Sequence, residues 1–393
     1  VNDIEQSTVH TPAQRRWRLA RRVVGPLWWV ALACLLLLVA SRSLLDLEVY
    51  RNGGLAWLRG IPLYVDFPGP LPGPRLPFTY PPLAAVLFTA LAGIPLWLAN
   101  AVVTAAGFVA LTAVCVLVAG RLAQDKDVAW TVGLGASVAA IFLEPVLDTL
   151  HFGQVNLLLM GLVVIDCLAV RNPRWRGVLV GLAAAIKLTP AVFVLYFLLR
   201  RDWRAAVTAV VSFIGFGALG FALAAKESAE YWFHALTDPS RIGGLPYAAN
   251  QSLRGVLERV NPGKDVVPLL WLGLTAAVMA LAVVVALRAR EDVVALLAIA
   301  AGGLLASPVS WSHHWVWCAP AFLVIAVRLR QWWQWGLFAA VVVVFCVKPF
   351  KMMPNENDRE LLWTFWQHIP GDVYVWLTVG ALLVLAVRRR SIA

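Results

Sequence analysis

Long apolar runs separated by short polar breaks dominate the chain. Windows near 20 apolar residues lie at about 24–44, 82–97, 98–121, 129–146, 155–170, 177–199, 204–225, 266–288, 292–307, 313–329, 332–348 and 373–388. Runs of that length match the thickness of a bilayer, so the pattern predicts an all-α polytopic membrane protein of about 12 transmembrane or re-entrant helices. The run at 24–44 follows a basic stretch but exceeds a signal-peptide core, and it is expected to stay as a first helix. Three larger polar stretches, 45–80, 226–265 and 349–372, interrupt the pattern. No repeat or inverted half of the kind found in secondary transporters is visible.

Charge orients these windows. Arginines cluster at 15–22, 171–176, 200–204, 288–290, 328–330 and 388–390, each beside an apolar run. That is the positive-inside signature, not a nucleic-acid footprint. A basic N-terminus (1–22) and a basic tail (389–393) are expected in the cytoplasm. Strict alternation of twelve spans would put Arg171–Arg176 outside. The conflict disappears if 82–97, which meets Gly93 and Pro95, and 177–199, which is interrupted by Lys187, Thr189 and Pro190, are broken or re-entrant. Such backbone survives only where protein or a watery cavity covers it. The stretches 45–80, 144–154, 226–265, 307–314 and 349–372 then share the outer face of one integral membrane domain, 1–393.

Composition agrees: of 393 residues 61% are hydrophobic and 14% charged, against about a quarter charged in a soluble domain. The five cysteines all sit in apolar runs with no metal or redox spacing, and read as small buried hydrophobes.

Polar side chains gather at a few places. Leu44–Gly54 (LLDLEVYRNGG) carries Asp46 and Glu48 just beyond the first span, with Arg51 near. Two readings stand: interfacial acids beside an arginine, or a general base at an outward cavity. Gly60–Leu83 is rich in Pro and Gly and leads into a helix at Pro81–Pro82; its aromatics, Tyr80 among them, suit either a lid or a substrate-contacting loop. Glu144–Asn156 (EPVLDTLHFGQVN) supplies Asp148, His151, Gln154 and Asn156. If it is helical, Asp148, His151 and Gln154 share a face, which suits sugar hydroxyls better than a metal with so few ligands. Lys187 is a cation within an apolar run, either snorkelling or meeting a phosphate. Tyr247–Leu253 contains Asn250 and Gln251 in an N-x-S triplet. Ser307–Trp317 sets His313 and His314 among Trp311, Trp315 and Trp317, a pairing suited to a phosphate or a sugar ring. No Walker loop, dinucleotide fingerprint, HExxH or nucleophile elbow occurs.

Taken in order, DLEVYR, TYPP, FGQVN, KLTP, NQS and SWSHHW resemble glycosyltransferase family 87, a branch of the GT-C superfamily, across nearly the whole chain. The resemblance implies a GT-C-like bundle with outer loops forming the active site, in the plasma membrane with that site extracytoplasmic. It implies a polyprenyl-phosphate-mannose donor, a phosphatidylinositol mannoside acceptor whose mannose 2-hydroxyl attacks, inversion to α, and no metal or cofactor. The family's loop-one aspartate falls on Asp46, the expected general base. Charge and position suggest His313, His314, Arg51 and Lys187 for the donor phosphate. Glu48, Tyr80, Asp148, His151, Gln154, Asn156, Asn250, Gln251 and Trp311 are the expected sugar and acceptor contacts. Sister activities, lipoarabinomannan α-1,2-mannosylation or arabinofuranosyl transfer, share these motifs. A lipid or sugar transporter is the rival of another class, disfavoured because the polar residues sit at one face rather than at the midplane.

Overall fold

The computed structural model describes residues 12–64, 71, 74, 76–123, 125–238, 241, 243–355 and 357–387. Among them the regular structure is helical, apart from an isolated bridge between Asn250 and Trp311. The first half holds α1 (Pro12–Val39), α2 (Leu45–Leu58), α3 (Pro82–Ala92), α4 (Leu96–Leu122), α5 (Lys126–Ala140), α6 (Glu144–Phe152), α7 (Asn156–Val164), α8 (Val178–Ile186) and α9 (Val194–Leu199). The second half holds α10 (Trp203–Leu223), α11 (Ala225–Phe233), α12 (Leu253–Val260), α13 (Val266–Arg288), α14 (Asp292–Ala306), α15 (Cys318–Ala326), α16 (Trp332–Val347), α17 (Phe365–Gly371) and α18 (Val373–Val387).

This is a membrane protein. Arg16–Val39 of α1, and α4, α10 and α13, are each long and apolar enough to cross a bilayer. The bent pairs α5–α6 (72°) and α17–α18 (74°) bring the number to as many as six. The other apolar windows hold shorter helices that do not reach across hydrocarbon on their own length. So the coarse expectation of a helical membrane bundle stands, and among the described residues four helices, or up to six counting the bent pairs, are long and apolar enough to cross on their own.

Two local expectations need correction. The polar stretch 45–80 does not begin as a loop: its first part is the fourteen-residue helix α2. Inside it, residues 65–70, 72, 73 and 75 lie outside the described residues, as do residues 1–11 and the Arg388–Arg390 cluster. The stretch Glu144–Asn156 is helical only as far as Phe152, so Gln154 lies beyond the helix that carries Asp148 and His151.

Packing depends on close approach and a few buried polar contacts. Trp28 of α1 stacks on Phe108 of α4 (centroids 5.1 Å apart) while its indole N–H donates to Thr112 Oγ1 at 2.8 Å. At the α8–α10 crossing a Cβ on Gly181 would come within 2.6 Å of the Ser212 Cβ, so only glycine lets these backbones meet.

The arginine clusters are stitched together at one end of the bundle. Arg18 and Arg21 pair with Asp127 at the start of α5. Arg121 donates to the Leu168 carbonyl. Arg176 pairs with Asp202 (2.9 Å), Arg200 with Asp292 (3.1 Å), and Arg328 with Glu291 (2.6 Å). Arg288 donates to the Ala386 carbonyl near the end of α18. The other polar segments assemble separately. Leu63 N–H donates to Glu227, Ala248 N–H to Glu360, Gln251 N–H to the Ser310 carbonyl and Ser312 N–H to the Ala249 carbonyl. At the centre of this second assembly Arg259, with a fully buried side chain, bonds Asp372 (Nε 2.9 Å, Nη2 2.5 Å) and the carbonyls of Pro246, Tyr247 and Asn250.

Candidate active site

A cavity of about 1430 Å³ opens within the second assembly, lined from α2, the 76–81 segment, α7, the break after α8, α14 and the 307–317 segment. It exceeds the ~300–1,000 Å³ of ordinary small-ligand pockets. Its lining combines apolar side chains, Met160, Val163, Met279 and Leu304 among them, with the polar groups of Asp46, Gln154, Asn156, Lys187, His313 and His314.

Each polar group is delivered by a break in regular structure. Asp46 occupies the first turn of α2, where the helix dipole favours a carboxylate. Leu47 on the neighbouring face is fully buried. It packs beneath Gly153, where a Cβ would approach the Leu47 Cβ to 2.8 Å, and where φ of 69° excludes most side chains in any case. That left-handed residue ends α6 and reverses the chain. Gln154 and Asn156 therefore enter the cavity, while His151, one turn earlier, is exposed with its Nδ1 3.5 Å from Arg42. Lys187 is placed in the same manner. Pro190 cannot extend a helix; α8 ends at Ile186, Lys187 is extended (φ −147°, ψ 127°), and a 3₁₀ turn, Thr189–Phe193, follows.

The Lys187 ammonium donates to Asn156 Oδ1 (3.0 Å), lies 3.2 Å from His314 Nε2 and stands 5.5 Å over the Tyr80 ring. It also exerts an attractive field on Asp46. Burial pushes the Asp46 carboxyl up to about 6, against the opposing effects of a hydrogen bond from Gln154 and the Lys187 charge. The carboxylate is thus ionised at neutral pH yet basic enough to accept a proton. His313 is anchored by its carbonyl, which accepts from Thr149 Oγ1 (2.8 Å) and Asn156 Nδ2 (3.1 Å). Its buried Nε2 has no hydrogen-bond partner among the described residues. Trp311 lines the same cavity beside Tyr247, their rings 6.0 Å apart.

The structure therefore brings together Asp46, Tyr80, Gln154, Asn156, Lys187, Trp311, His313 and His314. It places the other expected site residues elsewhere. Arg51 caps the end of α3, donating to the carbonyls of Leu91 and Ile94 (2.7 Å to the latter), because that helix end has unmet acceptors. Glu48 accepts from Ser43. Asp148 is paired with Lys351 (2.6 Å) and Lys348 (3.5 Å). Asn250 and Gln251 are fully buried. Asn250 bonds the Leu245 and Pro308 carbonyls and Ser310 N–H, and Gln251 the Ala248 and Gly371 carbonyls and Tyr374 N–H. They clamp the loop behind the cavity wall.

Residues outside the expected set also contribute. Lys351 and Arg241 reach the cavity lining. Tyr50 sits behind it, fully buried, with its hydroxyl 2.7 Å from Gln154 Oε1. Tyr50 was discoverable: it follows Asp46 at i+4, the same-face spacing of a helix, and was hidden only by treating 45–80 as loop. Among the described residues no group of three or more His, Cys, Asp or Glu is placed to hold a metal ion.

A membrane bundle that sets a carboxylate, Asp46, and several cations, Lys187, Arg241 and Lys351, on the wall of a large, partly apolar cavity is built to handle an amphiphilic anion. Comparison with known proteins identifies the group. The model of glycosyltransferase family 87 matches residues 78–308, and this chain belongs to that family. It is similar to the polyprenol-phosphate-mannose-dependent alpha-(1-2)-phosphatidylinositol mannoside mannosyltransferases of Mycobacterium tuberculosis (40% identity, 93% of this chain and 91% of the relative) and Mycolicibacterium smegmatis (41%, 87% and 83%). It is also similar to the phosphatidylinositol pentamannoside mannosyltransferase of M. smegmatis (33% identity, 86% and 84%). No solved structure matches the chain.

Proposed function

We propose that this protein transfers mannose from polyprenyl-phosphate-mannose to a mannose 2-hydroxyl of a phosphatidylinositol mannoside. The observation that carries the reading is that Asp46 and Lys187, which interact electrostatically, line one large cavity that also has extensive apolar lining. The names of the 40–41% identical relatives support the donor and acceptor. Asp46 accepts the proton of the 2-hydroxyl as its oxygen attacks the anomeric carbon from the face opposite the phosphate. The bond from that carbon to the phosphate oxygen breaks, its electron pair leaves with polyprenyl phosphate, and a β-linked donor gives an α product. Lys187, with His314 beside it and His313 at the same wall, stabilises the leaving phosphate without a metal ion. The apolar part of the lining takes lipid chain.

The arginine-stitched end is the cytoplasmic one by the positive-inside rule. The cavity therefore opens on the extracytoplasmic side of the plasma membrane, within a GT-C-like bundle whose shorter helices complete about twelve spanning or re-entrant segments. The deciding experiment is transfer by purified protein from labelled polyprenyl-phosphate-mannose to a phosphatidylinositol mannoside, with EDTA present. Label is expected in a larger glycolipid, and Asp46→Asn should lose it by at least about a thousandfold while remaining folded. Unimpaired transfer by that variant would remove Asp46 as base. Dependence on added metal would overturn the charge assignment to Lys187, and transfer from an arabinofuranosyl donor alone would change the sugar.

A further inference from the structure

The wall behind Asp46 contains a directed chain of hydrogen bonds. Tyr50 Oη lies 2.7 Å from Gln154 Oε1 and 2.9 Å from Tyr80 Oη; Tyr80 Oη is 3.4 Å from the same Gln154 oxygen. Tyr50, Tyr80 and Gln154 are all buried. Gln154 and Asp46 line the same cavity, and Gln154 acts on the Asp46 carboxyl as a hydrogen-bonding neighbour.

The 2.7 Å contact from Tyr50 to Gln154, much shorter than the 3.4 Å one from Tyr80, sets the ordering. An ionised carboxylate only accepts, so Gln154 presents its NH₂ to Asp46 and its oxygen to the phenols. Each phenol has a single proton. Tyr50 spends its own on Gln154 Oε1, so the proton between the two phenols comes from Tyr80. The chain runs Tyr80 to Tyr50 to Gln154 to Asp46, each bond polarising the next. Reversing the amide would set its oxygen against the carboxylate and its NH₂ against phenols that already have donors.

Resting on the assignment of Asp46 as base, we infer that Tyr50 and Tyr80 are positioning residues that lock the Gln154 carboxamide as a donor to Asp46, and so set the pH range in which Asp46 is active. The device answers a specific difficulty. A base in a partly apolar cavity loses its charge too readily, and a fixed neutral donor restores it without a second cation that would compete with Lys187 for the donor phosphate. It also fixes the carboxylate's rotation, leaving an oxygen free toward the cavity. Tyr80 joins the two halves of the site, since its ring carries the Lys187 ammonium.

The test is the pH profile of kcat/KM for mannose transfer by wild type, Tyr50→Phe and Gln154→Leu in detergent, with Asp46→Asn alongside. In wild type the acid limb reports the base. In Gln154→Leu that limb should move up by about one pH unit, and in Tyr50→Phe, where the amide is free to turn, by about half as much. Loss of activity is then roughly tenfold and threefold below the limb and shrinks toward alkaline pH. Tyr80→Phe leaves the Tyr50 to Gln154 bond in place and should shift the limb least. A purely structural role would lower activity evenly at every pH, and superposable normalised profiles for wild type, Tyr50→Phe and Gln154→Leu would overturn the inference. That failure is distinct from failure of the functional assignment, which shows as full activity in Asp46→Asn. If Tyr50→Phe does not fold, Gln154→Leu alone carries the test.

Discussion

Two sets of opposite charges lie within the second polar assembly, and they are built on contrary principles. Arg259 and Asp372 are fully buried and saturated: the guanidinium spends its donors on Asp372 and three backbone carbonyls, and Asp372 also meets His368 at 2.8 Å. Asp46 and Lys187 face a cavity and are deliberately incomplete: the ammonium has a carboxamide, an imidazole and a ring face as neighbours, and the carboxylate accepts from one amide. A saturated buried pair has nothing left to offer a substrate and serves the fold. An unsaturated one costs stability and keeps its charge for a ligand.

That contrast yields graded expectations. The largest effect is the loss of transfer in Asp46→Asn without loss of fold. Next, Arg259→Met leaves the Asp372 charge buried with only His368 beside it and should destabilise by about 3–5 kcal/mol. Thermal unfolding in detergent checks this, and a variant of unchanged Tm would break the contrast. Lys187→Met should instead keep or raise thermal stability while kcat falls roughly 10²–10³-fold. A loss of folded protein there would make Lys187 structural.

A smaller effect is the pH dependence. With the Asp46 carboxyl raised from 3.8 to about 6, transfer should rise through pH 6 to a plateau. The sign for stability is opposite. The folded state holds this proton more tightly than the unfolded chain, so the contribution of Asp46 is largest below pH 4 and is lost as pH rises through about 6. Parallel rate and unfolding titrations would show the two moving in opposite directions. Smallest of all, His151→Ala should change activity less than about twofold, as expected for an exposed side chain away from the cavity.

How much of the site was legible varies by residue, and the reason is local geometry. Asp46, Lys187, Gln154 and the histidine pair stand out in sequence because a polar group in or beside an apolar run is expensive. The same logic also singles out Asn250, Gln251 and Asp148, which do not line the cavity. A buried amide satisfied by backbone and a carboxylate held by two lysines carry the same letters as functional groups, and differ only in whether their bonds are already taken. Arg51 and Glu48 lie off the cavity because the fourteen residues of α2 turn those side chains away from the face that carries Asp46.

The sequence by itself determined that this is a helical membrane protein, that its arginine clusters collect at one end, and that a helix breaks at Lys187–Pro190. Those properties follow from hydropathy, charge and backbone restrictions that act within a few residues. Tertiary structure decided which polar groups face a common cavity, because that depends on the left-handed turn at Gly153 and the crossing of segments more than a hundred residues apart. It also decided which ionic groups are saturated and which stay available, since hydrogen-bond valence is a property of neighbours in space.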